Sequence, residues 1–329
     1  FVAEAKGADW EHSLFTLNRA HLDGAELSVA LADTAQKDTT SQPVVWVIDA
    51  QDIQIQRSKL LLTMPGDSLH LAASLQDARM TKGHFDLGRK DFRVKSLVLS
   101  QGAASMNMTR HLLPKDALFE LSGIDCKASN INYDAAGRFM ANLEHLSLRE
   151  GQHDFHLTHL GGKIEGDTTW VSLPNLRVVT PNSQLKASLT ADFSAFQPTG
   201  KGRFSLKGQT SIGMVDVLAV LKPHVSATQY RQMAEMSWKL MGGNPIEVQV
   251  TAEGNMRHLA VQRATLGVSG LAQVALDGFV RNAMDKGRSG TFNFSFRSQS
   301  SQRIRPLLPH DLAQTFQLPD GLAALGHLQ

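Results

Sequence analysis

Hydrophobic and polar residues alternate along most of this chain with a period of two. Successive side chains of a β-strand point to opposite faces of the sheet, so each alternating run predicts a strand with one apolar and one polar face. Three runs show this most clearly, and they end at Phe193, Ala252 and Phe296. The apolar positions singled out in them are Leu185, Leu189, Phe193, Val248, Val250, Phe292, Phe294 and Phe296.

Turn signals separate these runs at short intervals, as in Pro65-Gly66-Asp67 and Pro181-Asn182-Ser183. Short connections favour antiparallel strands over strands joined by helices. Roughly two dozen candidate strands follow, and open twisted sheets rarely exceed about ten strands without curling or splitting. The chain is therefore predicted to be mainly β, with a long antiparallel sheet that splits, closes or curls lengthwise. Two apolar faces packed as a sandwich satisfy the alternation equally well.

Helical signals are confined to a few places. Ser226 and Gln229 form a predicted capping box, and Gly242 follows the last position with helical spacing. We predict a helical insertion at about 214–241 and a short helix at about 309–316. The apolar stripe of the longer helix contains Tyr230, Met233, Leu240 and Met241.

Composition narrows the function classes. The chain has 329 residues, and 33 basic against 31 acidic residues give a net charge of +2, which does not indicate a nucleic-acid partner. The single cysteine, Cys126, excludes an intrachain disulfide and a cysteine-based zinc cluster. The sequence begins at Phe1 and carries no basic-then-apolar leader, which we interpret as a segment of a longer protein whose export signal or anchor lies elsewhere.

Candidate catalytic motifs do not form a complete set. Residues 66–69 read Gly-Asp-Ser-Leu, as in the esterases named for that motif, but the alternation continues as a strand after Leu69 instead of a helix. His153, His156 and His159 are three residues apart, so on a regular strand His156 faces away from the other two. We therefore predict no enzymatic activity, no cofactor and no metal site.

Several segments resemble a known family. The run Leu173–Phe193 and the run Gly254–Gly278 are similar to recurring strand pairs of the TamB proteins (translocation and assembly module) in the AsmA-like superfamily, and Phe85–Lys90 also fits. The resemblance covers most of the chain but is a pattern of strands and turns. Neither the N-terminal membrane anchor nor the conserved C-terminal domain of that family is recognisable, so residues 1–329 correspond to one elongated internal segment.

The resemblance implies a sheet curled into an elongated groove, a β-taco, lined by the eight apolar residues given above. Such a groove carries phospholipid acyl chains between the inner and outer membranes, in a periplasmic protein anchored to the inner membrane. The helix from Ser226 to Met241 is predicted to lie against the groove as a gate. One alternative is a scaffold for outer-membrane protein assembly with a barrel partner of the TamA or BamA type. The other is a structural β-sandwich.

Overall fold

The computed structural model describes residues 1–9, 13–30, 46–64, 69–108, 118–151, 154–198, 201–284, 287–298 and 323–328. The fold is mainly β, with 71% of the described residues in strands and 10% in helices, which confirms the predicted fold class. The chain contains two compact units, Phe1–Thr168 (unit 1) and Thr169–Gln329 (unit 2). Within the described residues, no helix combines the length and the hydropathy that crossing a membrane requires.

Unit 1 contains nine described strands, β1 Val2–Asp9, β2 Leu14–Asp23, β3 Glu26–Ala30, β4 Val47–Met64, β5 Leu69–Asp86, β6 Asp91–Met108, β7 Leu118–Tyr133, β8 Phe139–Glu150 and β9 Phe155–Gly166. Strands β1 and β2 are antiparallel, and β4 to β9 follow one another as antiparallel neighbours, but β2 and β3 both run parallel to β4. The sheet of unit 1 is therefore mixed, with two parallel pairs among strands that are otherwise antiparallel as predicted. A parallel pair needs a connection of a dozen or more residues, and 31–46 supply that length.

The longest strands of unit 1 contain residues with left-handed backbone. Arg57, Lys82 and Gln101 have φ angles of 45°, 51° and 52°. Each lies where the apolar positions change between odd and even numbers, as from Met80 to Phe85 around Lys82. A left-handed residue interrupts the alternation of side chains, so apolar residues before and after it can share one face. This explains how strands of 18 residues arise from short alternating runs.

Unit 2 contains eight described strands, each antiparallel to the next. Two α-helices, α1 Met214–Leu221 and α2 Ala227–Met241, connect the third of these strands to the fourth. Short 3₁₀ helices lie at Phe193–Phe196 and Lys222–His224. The strands are β10 Trp170–Val179, β11 Gln184–Asp192, β12 Phe204–Ile212, β13 Ile246–Gly254, β14 His258–Val268, β15 Ala272–Arg281, β16 Ser289–Ser298 and β17 Ala323–Leu328.

The ends of α2 follow the prediction. The Gln229 amide donates to Ser226 Oγ at 3.3 Å, and the Ser226 amide donates to Gln229 Oε1 at 3.0 Å, so the capping box is confirmed. Gly242 ends the helix with a φ of 58°, a conformation that glycine adopts without steric cost. The helix predicted at about 309–316 and the Gly66-Asp67-Ser68 turn lie outside the described residues.

Candidate functional site

One face of the unit 2 sheet is apolar on every strand from β10 to β16. Residues paired across neighbouring strands share a face. Leu189 pairs with Leu173 on β10 and with Leu206 on β12. The same row continues through Ala252 on β13 to Val261 on β14. The alternating runs of separate strands therefore lie side by side.

The register places seven of the eight predicted lining residues on this face. Val250 connects through Ala264 and Leu276 to Phe294. The Phe294 ring also lies directly over Gly326 of β17, where it occupies the space of an absent side chain. The seven residues are Leu185, Leu189, Val248, Val250, Phe292, Phe294 and Phe296.

The eighth residue, Phe193, does not continue the face. Strand β11 ends at Asp192, and Phe193 begins a 3₁₀ helix in which its side chain is 44% exposed. Its amide still donates to the carbonyl of Thr169 at 2.8 Å, in the register of the β10–β11 hairpin, but the backbone then turns into the 3₁₀ helix. The prediction that Phe193 belongs to the same strand was wrong.

We call this surface the unit 2 apolar face, and none of its described members is charged. The described members pair across the sheet in continuous rows from β10 to β16. The larger side chains among them are Val171, Leu173, Leu176, Val178, Leu185, Leu189, Phe204, Leu206, Ile212, Ile246, Val248, Val250, Leu259, Val261, Leu266, Val268, Val274, Leu276, Val280, Phe292, Phe294 and Phe296.

The unit 2 apolar face is not covered by the described residues. Leu266 is 53% exposed and Val274 is 39% exposed, and the phenylalanines of β16 are only half-buried. Its buried members in the described chain are small residues such as Ala191 and Ala252. Two sheets packed as a sandwich would bury the large side chains of their inner faces. The described face lacks that burial, and it offers a broad apolar surface to an apolar ligand.

The opposite face of the unit 2 sheet is polar. Asn293 and Arg297 are exposed on β16, and Asn293 donates to Asp277 Oδ2 at 2.9 Å on the neighbouring strand. Ser188 pairs with Lys207, in the same alternating phase as the other polar positions. The two faces therefore differ sharply in chemistry, as the alternation predicted.

Unit 1 repeats this division of faces. One row of paired residues runs through Ile55, Ala78, Leu99, Cys126 and Leu146. Burial raises the pKa of the Cys126 thiol, which disfavours the reactive thiolate. The cysteine therefore behaves as a small apolar member of the face.

A row of aromatic side chains extends the apolar face of unit 1. The ring centroids of Phe85 and Phe92 are 6.4 Å apart, and those of Phe92 and Tyr133 are 6.0 Å apart. These residues lie on three consecutive strands, so their sequence positions alone gave no sign of the row. Cross-strand aromatic pairs add to sheet stability beyond the area that they bury.

The polar side of unit 1 carries ion pairs between neighbouring strands. Arg79 lies 2.8 Å from Asp52, and Lys127 lies 2.7 Å from Glu144. Hydrogen bonds from these two cations lower the pKa of both carboxyl groups. The contacts are exposed to water, so each adds little to stability. They identify this face of the unit 1 sheet as the one in contact with water.

The histidine run does not match its predicted geometry. His153 lies outside the described residues. Strand β9 has one extra residue between Leu157 and Leu160 relative to its partner strand, and this bulge returns both leucines to the same face. His156 and His159 therefore share the other face, so the prediction that they point in opposite directions was wrong. Within the described chain, no three ligating side chains form a group that could hold a metal ion.

The predicted gate helix, α2, lies in the connection between β12 and β13. Tyr230, Met233 and Met241 are half-buried, whereas Trp238 is 70% exposed. The side chain of Leu240 lies outside the described residues. An exposed tryptophan has an apolar ring and one polar N–H, a combination suited to a boundary between hydrocarbon and water.

Helix α1 is tethered to the turn between β10 and β11. The Asp216 carboxylate accepts hydrogen bonds from Thr180 Oγ1, Ser183 Oγ and Asn182 Nδ2, the last at 2.9 Å. Partial burial raises the pKa of Asp216, but these hydrogen bonds outweigh it and the net pKa is lowered. The carboxylate therefore fixes α1, while α2 has no comparable polar tether to the sheet among the described contacts.

This difference predicts that α2 moves more readily than the strands beside it. We expect hydrogen exchange at the amides of Met233 and neighbouring residues to be faster than at those of β12 and β13, and to slow when lipid is added. Exchange measured by mass spectrometry with and without phospholipid tests the gate. Protection equal to that of the strands and unchanged by lipid would make α2 a fixed cap.

Comparisons with known proteins do not identify a family. No protein-family model matches the sequence, and no curated protein or solved structure is significantly similar to it.

Proposed function

We propose that this chain is a carrier for phospholipid, with acyl chains lying on its apolar sheet faces. The observation that supports this most directly is the unit 2 apolar face, which has no charge on seven neighbouring strands and is left half-exposed. Apolar surface in water costs about 25 cal/mol per Å², so a bound hydrocarbon chain stabilises the protein by removing that contact.

The dimensions of the face suit an acyl chain. Strands β11 to β16 have nine to eleven residues, which corresponds to about 30 Å or more of extended chain. One leaflet of a bilayer is about 15 Å of hydrocarbon, half of a core that is about 30 Å thick. A single strand length therefore accommodates a complete acyl chain.

The resemblance to TamB proteins supports the cellular setting of the proposal. In that setting the chain lies in the periplasm, connects to the inner membrane through an anchor outside this sequence, and carries phospholipid between the inner and outer membranes. The polar faces then contact water, and the apolar faces contact lipid.

The proposal predicts that the protein carries phospholipid when it is purified without detergent. Organic extraction and mass spectrometry of the gently purified full chain should show phospholipid well above the level in a polar protein prepared in parallel. Lipid at background level in a sample with an intact β signal by circular dichroism would contradict the carrier function.

A second candidate is a scaffold for outer-membrane protein assembly with a TamA- or BamA-type barrel. An exposed sheet edge can pair with a client strand, and all eight residues of β1 are exposed. Charged residues such as Glu4 and Lys6 lie along that strand, and charges on an edge oppose pairing with other chains. The charges on β1 therefore favour the carrier function over the scaffold function.

A further inference from the structure

The polar face of unit 2 contains a depression of about 400 Å³, which we call the basic depression. It lies on strands β10 to β13, on the side opposite to the unit 2 apolar face. Its lining includes the cations Arg177, Lys186 and Lys207 and the neutral polar residues Ser188, Gln249 and Thr251.

A bulge in β10 forms one wall of the basic depression. Leu173 pairs with Leu189 and Leu176 with Ala187, so Pro174 and Asn175 together oppose the single residue between those partners. The extra residue raises the backbone at this point, and proline suits a bulge because it has no N–H to contribute to the ladder. The opposing residue is Ser188, whose short side chain leaves space beside the bulge.

The sheet register gathers the cations around this space. Arg177 pairs directly with Lys186, and Lys207 pairs with Ser188 on one side and Thr251 on the other. All three cations are exposed and none has an ion-pair partner among the described residues. Of the described residues that line the depression, none is acidic. Three unpaired positive charges therefore surround a concave floor that carries hydroxyl and amide groups.

The geometry points to the basic depression as a binding site for a phosphate group, in the form of a small phosphomonoester or a phospholipid headgroup. A phosphomonoester carries nearly two negative charges and several acceptor oxygens, which matches one guanidinium, two ammonium groups and the neutral donors. The volume lies in the range of small-ligand sites, and a peptide would need a longer groove with apolar anchors. Because the depression lies on the polar face, this inference stands independently of the proposed lipid carrier.

Binding of two probes tests the site with the full chain. Isothermal titration with sn-glycerol 3-phosphate measures the free phosphomonoester. Flotation with phosphatidylcholine vesicles, with and without phosphatidylglycerol, measures a headgroup. The test variants are Lys207→Gln and Arg177→Gln. The matched control is Arg297→Gln, an exposed arginine on the same face but on β16.

We expect saturable binding of at least one probe, weakened about tenfold by each test variant and unchanged by the control. If the test variants lose binding of glycerol phosphate, the site binds a soluble phosphomonoester. If they lose the flotation that depends on phosphatidylglycerol, the site binds a phospholipid headgroup. Absence of binding to both probes would overturn the inference. Equal weakening by Arg297→Gln would also overturn it, because it would reveal only a general effect of net charge.

Discussion

Phe294→Asp is expected to lower the phospholipid recovered with the purified protein by at least about tenfold. The ring lies halfway along β16, the last strand of the unit 2 apolar face, in one row with Val250 and Leu276. A carboxylate at this position must be covered by hydrocarbon whenever an acyl chain binds. Placing a charge in the centre of a hydrocarbon layer costs about 2.5–3.5 kcal/mol or more, and 1.4 kcal/mol corresponds to tenfold in binding. The site is half-exposed without lipid, so folding itself loses much less.

Asn293→Asp is the matched control for this experiment. Asn293 is the neighbouring residue on the same strand, is exposed, and lies on the polar face. The added carboxylate replaces the hydrogen bond to Asp277 and lies beside that acidic residue, but both side chains are exposed to water. The variant should therefore lose a little stability and keep its lipid content. The measurement is phospholipid per protein by mass spectrometry, with circular dichroism to confirm that both variants fold. Equal lipid contents in Phe294→Asp and Asn293→Asp would show that the acyl chains do not lie on this face.

The strand pattern and the long helix could be predicted from the sequence because both depend on residues that are close together in the chain. Alternation in β11, β13 and β16 identifies the apolar face, since a strand has only two faces. Ser226 and Gln229 identify the start of α2, since their side chains satisfy amides that the helix leaves unpaired. Each of these signals lies within a few residues of the element that it predicts.

Features that depend on pairing between strands were not predictable in the same way. Phe193 keeps the alternating phase, yet strand β11 ends at Asp192 and the chain turns there into a 3₁₀ helix. The bulge after Leu157 reverses the phase of the following histidine, and it exists only relative to the partner strand. The basic depression likewise combines residues from several strands, so no single segment reveals it.

The largest expected loss of stability comes from Gly278→Ala, in the middle of β15. Gly278 has a φ of 153°, a conformation that side chains rarely adopt. A Cβ at this position would collide with the Thr291 carbonyl oxygen and would lie 2.8 Å from Phe292 Cα and 2.7 Å from its ring. The colliding oxygen and the Cα belong to the backbone of the paired strand, so they cannot rotate away as a flexible side chain does. We expect the free energy of unfolding to fall by about 2–4 kcal/mol.

Gly208→Ala separates this collision from the general effect of replacing a glycine. Gly208 lies on the same apolar face, within β12, and a Cβ there would meet its nearest neighbour, Val250 Cγ1, at an ordinary 3.5 Å. Alanine also restricts the unfolded chain more than glycine does, so this variant should be neutral or more stable by up to about 1 kcal/mol. Urea unfolding followed by circular dichroism gives both values. If the two variants unfold at the same urea concentration, the close approach of β16 to Gly278 is absent in solution, and the register that aligns Phe292 with Val261 across β15 loses its support.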